Sequence, residues 1–554
     1  PTVNAGTDKE VNTLAAQDAT TSDLGSGLAT HQWSKISGLG IITFSAATSV
    51  DTNISASVDD TYIIRLTVTD MAGNSNSDDI TFVWDTTPPT VALSSSTPDP
   101  TNGFIFVVAQ FSETVTDFGA IDIAVGNGTV DSFVAVDGDT YQFNVNPADG
   151  PSVAVTIDVP MATSVDAAGN ANIASNQITR TSDTVAPAVS SITTTDANLD
   201  GAVDTATIVF TEAMKDSTFN FADFTIGGIP ATNFSTGITA NDDTVVLSHA
   251  GVAGTDAKTV AYVPGATITD LAGNIRIAFT SGSVDAAKPV LLSARTVTTT
   301  SIEATFSEDL NGVTVNISGN EFTVTGYAVS AASETSNGVI TLTVTTMPTD
   351  ATPVVTYTSN GPLNDLAPVP NTAVTPVSVT AVDGVAPVLT AVSISSNNDG
   401  DLTAPEWAKV GDIARIIFTS SEPIATPVVT IAGRPATSIE GPGIGNSWAA
   451  NLNSFTGIET NGVLPFLIAF ADMAPIPNAG TPVTVTGDGS FVFFDSVNPT
   501  VYAGDDKEVN TLVFQDATVS DPAPASEVAT YAWTNQTPLV GTITFSNPSG
   551  TGTG

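Results

Sequence analysis

Asp85-Thr-Thr-Pro-Pro-Thr-Val91 leads, after a short turn, into Gly103-Phe-Ile-Phe-Val-Val-Ala-Gln-Phe111, and these two segments decide the fold. The second is a short apolar run rich in β-branched and aromatic residues and bounded by turn formers, which reads as a strand. The first contains the pattern Asp-x-x-x-Pro-x-(Val/Leu), which returns at Asp183 with Pro187, Asp285 with Pro289, Asp383 with Pro387 and Asp495 with Pro499. Successive prolines from Pro89 onward are 98, 102, 98 and 112 residues apart. A period of that size is one β-sandwich per repeat. Proline at the start of each unit suits a first strand on a sheet edge, where a missing N–H costs no ladder bond.

Thr205-Ala-Thr-Ile-Val-Phe210 and Val339-Ile-Thr-Leu-Thr-Val344 repeat the strand type, and Gly, Asn, Asp and Pro separate the runs throughout. No segment keeps a helical period. The spacing predicts an all-β chain of antiparallel sandwiches in an elongated array, with units at 1–88, 89–186, 187–288, 289–386, 387–498 and 499–554. The last is incomplete: Asp8-Lys-Glu-Val-Asn-Thr-Leu14 recurs unchanged as Asp506 to Leu512, an offset of 498, so 499–554 repeats 1–56. This reads as an excerpt of a longer protein with a five-unit super-repeat.

Composition narrows the chemistry. The 554 residues hold 57 Asp and Glu against 13 Lys and Arg, a net charge of -44, with two His and no Cys. Disulfides, thiolate metal sites and cysteine nucleophiles are excluded. Nucleic acid is a poor partner, because phosphates are neutralised by Lys and Arg. A mean hydropathy of +0.21 argues for a folded chain. The longest apolar run, Val463 to Ala471, is interrupted by Pro465 and far short of the ~20 residues of a spanning helix. No catalytic motif is present, so the chain reads as a non-enzyme. His31, two residues before Trp33, is expected on the same strand face, and His249 in a turn.

Three kinds of acid recur at fixed places: the linker Asp, a Glu after a strand ending in Phe-Ser-Glu or a variant, and the Asp of a late Asp-x-Ala-Gly-Asn turn. In a seven-stranded sandwich all three fall at the pole where the chain arrives. The predicted sets are Asp85, Glu113 and Asp166; Asp183, Glu212 and Asp270; Asp285, Glu308 and Asp365; Asp383, Glu422 and Asp472. The first and last units offer Asp23 with Asp70, and Asp495 with Asp521. Clustered carboxylates suit calcium, which takes about six to eight oxygen ligands in flexible geometry. The alternative is that the Asp and Asn residues cap turns and each Glu ends its strand facing solvent. A further calcium candidate is Asp196-Ala-Asn-Leu-Asp-Gly-Ala-Val-Asp204, with Asp196, Asn198, Asp200 and Asp204 at loop positions one, three, five and nine and glycine at six. Asn397-Asn-Asp-Gly-Asp401 is a weaker copy. In the fourth and fifth units Pro replaces the Gly-Asn of the late turn, at Asp365-Leu-Ala-Pro368 and Asp472-Met-Ala-Pro475.

These motifs carry a family resemblance. The first unit, with Ala29-Thr-His-Gln-Trp33 and Leu66-Thr-Val-Thr-Asp-Met-Ala-Gly-Asn74, resembles PKD-type domains of microbial surface proteins, and the next four resemble bacterial Ig-like domains. The resemblance implies a structural cell-surface protein outside the cell: an S-layer coat, an extracellular filament, or alternatively the stalk of a large calcium-dependent adhesin. Self-association into a lattice or fibre is the expected partnership. Acceptor sequences at Asn53, Asn127, Asn233, Asn316 and Asn535 allow glycans.

Overall fold

The computed structural model describes residues 1–265, 267–358, 361–398, 406–505, 515–520, 532 and 552–553. Among these there is no α-helix, only four 3-10 turns of three residues each, and every other element is a strand. Two compact units are distinguished: Pro1–Thr193 with Thr205–Ala250 and Lys258–Val284, and Thr194–Asp204 with Gly251–Ala257 and Asp285–Gly554.

In the first unit, the opening sandwich packs a four-stranded sheet against a three-stranded one. The four-stranded order is Lys9–Val11, Ser75–Trp84, Asp60–Asp70, Leu28–Ser37, and the facing order is Ala15–Gln17, Thr52–Ala56, Ile42–Phe44. Period-two alternation buries Tyr62, Ile64, Leu66 and Val68 from one strand. Trp33 is 1% exposed, and its indole N–H reaches the carbonyls of Ser49 and Val50, both at 3.1 Å. Burial takes the indole donor out of reach of water, and these two carbonyls supply its partner. His31 shares the face of Trp33 and lies 3.1 Å from the Thr21 hydroxyl. The next sandwich has Val91–Ser94 on the edge of a sheet running Ile105–Phe111, Thr140–Pro147, Gly128–Ala135, faced by Ala124–Gly126, Val153–Asp158 and Ile178–Ser182. The edge position matches the proline reading. In the third, Ile229–Pro230, Phe224–Ile226, Thr259–Tyr262 and Phe279–Gly282 form one layer. His249 is not in a turn: strand Thr244–Ala253 continues through it, and the alternation Val245, Leu247, His249 buries the ring.

In the second unit, the fourth sandwich departs from two separate sheets. Its seven strands form one ladder, because Leu291–Thr298 pairs parallel with Val377–Val382 and carries the hydrogen bonding from one layer to the other. The strand after Pro289 is therefore interior, not an edge; Pro289 lies before the strand and removes no ladder bond. Phe306 meets Tyr357 edge-on across the core, with ring centroids 5.9 Å apart. The fifth sandwich returns to Leu389–Ser396 as an edge beside Ile413–Ser420, Ser447–Asn453 and Ser438–Glu440. Its core is built on Phe418, Trp448, Phe455 and Phe494.

Candidate carboxylate sites at the linkers

One bridge, repeated four times, assembles the sites. Two residues after each glutamate the backbone pairs with the late-turn aspartate: Val115 with Asp166, Met214 with Asp270, Leu310 with Asp365, and Ile424 with Asp472. The strand carrying the glutamate is thereby pinned beside the turn. The residue before each glutamate is pinned to the linker from both sides. Ser112 N donates to Thr90 O and Ser421 N to Val388 O, at 2.9 and 2.8 Å. In return Thr90, Ala188, Val290 and Val388 donate their N–H groups to the hydroxyls of Ser112, Thr211, Ser307 and Ser421, at 2.9 to 3.1 Å. That exchange is what the Ser or Thr of the Phe-Ser-Glu segment does.

The outcome is convergence of each predicted set. Asp85, Glu113 and Asp166; Asp183, Glu212 and Asp270; Asp285, Glu308 and Asp365; and Asp383, Glu422 and Asp472 each present three carboxylate oxygens within 4.8 Å of one another. The glutamates do not face solvent, as a strand-ending residue would. Glu308 is 7% exposed and Glu422 2%, with Glu113 and Glu212 half-buried.

Each aspartate also holds backbone. Asp166 accepts from Asn170 N at 2.8 Å and Asp270 from Gly273 N and Asn274 N at 2.7 and 2.8 Å. Asp70 does the same in the first sandwich, with Ala72 N and Asn74 N at 2.9 and 2.8 Å, and the Asn74 side chain holds its carboxyl below the usual range. Turn capping is therefore present alongside the clusters. Linker aspartates cap two residues on: Asp85 to Thr87, Asp183 to Val185, Asp285 to Ala287, Asp383 to Val385 and Asp495 to Val497, at 2.9 to 3.0 Å.

The late-turn asparagine is a functional residue that the motif reading only half found. Its Nδ2 donates both to the turn aspartate and to the linker carbonyl: Asn170 to Asp85 O and Asn274 to Asp183 O, each at 2.9 Å. The fourth and fifth sandwiches keep it. Asn371 and Asn478, two residues later than the Gly-Asn spacing, reach Asp285 O and Asp383 O at 3.4 and 3.3 Å. The proline turns lengthen the loop without removing the clamp. From the other side, Asn12, Asn102 and Arg295 of the preceding sandwiches donate to the side-chain oxygens of Asn170, Asn274 and Asn478 at 3.0, 3.2 and 3.3 Å.

Electrostatics set these sites apart from ordinary acidic surface. Burial first, and then the neighbouring aspartates, push the glutamates up: Glu113 above its usual range, Glu212 to about 7, Glu308 to about 8 and Glu422 to about 7. Thr255 donates to Glu308, which works against the rise without cancelling it. Glu422 Oε1 is buried with no hydrogen-bond partner. Two like charges about 5 Å apart repel by about 3 kcal/mol at an effective dielectric near 20. The donor set is carboxylate oxygen alone, with no imidazole or thiol, which fits a hard cation such as calcium and not a softer metal.

The other candidates behave differently. In the Asp196 loop the carboxylates bind their own backbone: Asp196 accepts from Leu199 N and Gly201 N at 2.7 and 2.8 Å, and Asp204 from Ala197 N at 2.9 Å. Asn198 and Asp200 are tied to each other at 3.0 Å. Asp196, Asp200 and Asp204 are not among the sets of three that converge. Asp399 and Asp401, like Asp521 and Asn535, lie outside the described residues. Asp23 holds Gly27 N at 2.7 Å. Of the glycan acceptors, Asn53, Asn127 and Asn233 are exposed and Asn316 is half-buried; the amides of Asn127 and Asn316 donate to Ala154 O and Asn320 Oδ1 at 2.8 and 2.7 Å.

Sandwiches in tandem, with acid clusters where the linkers enter, define an all-β protein of tandem Ig-like domains. Residues 85–181 match the model of a bacterial Ig-like domain, and residues 5–83 that of a PKD domain. No curated protein matches the chain. Among solved structures it is similar to invasin, a bacterial integrin-binding protein, at 13% identity over 72% of this chain and 82% of that one, with a TM-score of 0.26. It is also similar to protocadherin gammaB7 EC3-6 (10%, 89% and 100%, 0.21) and to the fibronectin(III)-like modules of Clostridium thermocellum CbhA (15%, 33% and 95%, 0.18). Among the described residues no helix is long and apolar enough to cross a membrane.

Proposed function

We propose that this chain is a mechanical segment of an extracellular microbial surface protein, and that calcium at the linkers stiffens it. The observation that carries the reading is the fourfold convergence of three carboxylates where one sandwich hands the chain to the next. Tandem Ig-like and PKD domains belong to extracellular structural and adhesive proteins, and such families are usually non-catalytic. The residues that would hold the ion are Asp85, Glu113 and Asp166 and their three equivalent sets, with backbone and water oxygens completing the shell. Bound calcium would remove the repulsion within each cluster and fix the linker, already clamped by asparagine, against the sandwich that follows. A coat or filament is the first use; the 498-residue restart of the sequence favours, as a second, a long stalk that displays an adhesive domain. Calorimetric titration of the chain with calcium tests the reading: binding at several sites supports it, and no binding up to millimolar calcium refutes it.

A further inference from the structure

The fourth cluster has a feature that three converging acids alone do not supply. Glu422 is 2% exposed and its Oε1 lacks any hydrogen-bond donor. A buried acceptor left unmatched is costly, and a carboxylate oxygen more so. Beside it lies a cavity of about 480 Å³ whose wall includes Asp350, Asp383 and Glu422. Asp383 belongs to the linker and Glu422 and Asp472 to the sandwich after it, whereas Asp350 lies in a loop of the sandwich before it. Among the described residues no Lys or Arg pairs with Asp383, Glu422 or Asp472.

We infer that Asp350 is a fourth carboxylate ligand at this linker, so that a hard dication there is held from both flanking sandwiches. The inference rests on the reading of the linkers as calcium sites. Calcium tolerates irregular shells of about six to eight oxygens, whereas magnesium demands a near-ideal octahedron, so a ligand arriving from a separate loop suits calcium. A ligand on each side of the linker makes ion binding and inter-domain angle one equilibrium.

The relation recurs with different residues. Glu10, ahead of the first linker, is a neighbour of Glu113, and Asp256, ahead of the third, is a neighbour of Glu308. At the second linker the preceding sandwich offers Asn102, bonded to Asn274 at 3.2 Å.

The test uses the full chain and calcium alone. Asp350→Asn keeps the side-chain shape and removes the charge, and circular dichroism checks that it folds. Calorimetric titration is expected to show one site weakened by about tenfold or more, with the others unchanged. Glu422→Gln weakens the same site. Because the chain has no cysteine, spin labels on Ser336→Cys and Ile444→Cys report the flanking sandwiches alone. Calcium is expected to narrow their distance distribution in the otherwise wild-type chain and not in D350N. A D350N chain that titrates and narrows like wild type overturns the role of Asp350 while leaving calcium at the linker intact. A wild-type chain that binds no calcium overturns both.

Discussion

Glu308 offers the sharpest prediction, because its environment gives the sign and the size of the effect. Burial is the largest cause of its shift, the Thr255 hydroxyl opposes it, and Asp285 and Asp365 add to it, so the carboxyl is pushed from 4.5 to about 8. At 1.36 kcal/mol per pH unit this corresponds to about 5 kcal/mol. A carboxyl whose folded value lies above its unfolded value stabilises the protein fully below the unfolded value, near 4.5, and the contribution is lost as pH rises through about 8. In chelator, then, the fourth sandwich should lose on the order of 5 kcal/mol between pH 4.5 and 8.5. Glu308→Gln keeps an acceptor for Thr255 and cannot ionise, so it should remove most of that loss. Hydrogen-exchange protection factors in strand Ser301–Phe306 give a local measure with the intrinsic pH dependence of exchange divided out. The difference between wild type and E308Q cancels the charge of the rest of the chain. The expected result is near equality at pH 5, a more stable E308Q at pH 8.5 in chelator, and the reverse order at pH 8.5 in calcium. A wild-type chain as stable in chelator at pH 8.5 as at pH 5, or an E308Q destabilised at both, refutes the reasoning.

Asn478→Ala should loosen the fourth linker, since it removes bonds to Asp472, Asp383 O and Arg295 at 2.7, 3.3 and 3.3 Å; at about 1 kcal/mol per bond the expected readout is faster proteolysis at 383–387, and unchanged cleavage contradicts it. Gly338→Ala should cost about 2 kcal/mol or more, because φ is +68° and a Cβ would lie 2.4 Å from Glu308 O; thermal unfolding of the fourth sandwich measures it, and an unshifted transition contradicts it.

The linker sites were legible because their parts are local motifs at fixed offsets from strands. Register did the rest: once Val115 pairs with Asp166, Glu113 has little choice of neighbours. Asn371 and Asn478 escaped because two extra turn residues moved them away from the motif while the turn still closed on the same aspartate. Asp350 carried no signal, since Glu10 lies in the strand Lys9–Val11 and Asp256 and Asp350 in loops, segments of unlike sequence that only the packing of successive sandwiches brings to a common place. The single seven-stranded ladder of the fourth sandwich depends on the parallel pair Ala294 with Ala381 and Arg295 with Val382, a long-range contact that alternation along either strand does not encode. In the Asp196 loop, where spacing points to a cation, the structure shows side chains that hold their own backbone.

Calcium stoichiometry is the decisive measurement. Titration of the wild-type chain and of a variant carrying Glu113→Gln, Glu212→Gln, Glu308→Gln and Glu422→Gln should differ by about four ions, one for each converging set. Equal uptake by the two chains, or none by either, contradicts calcium binding at the linkers.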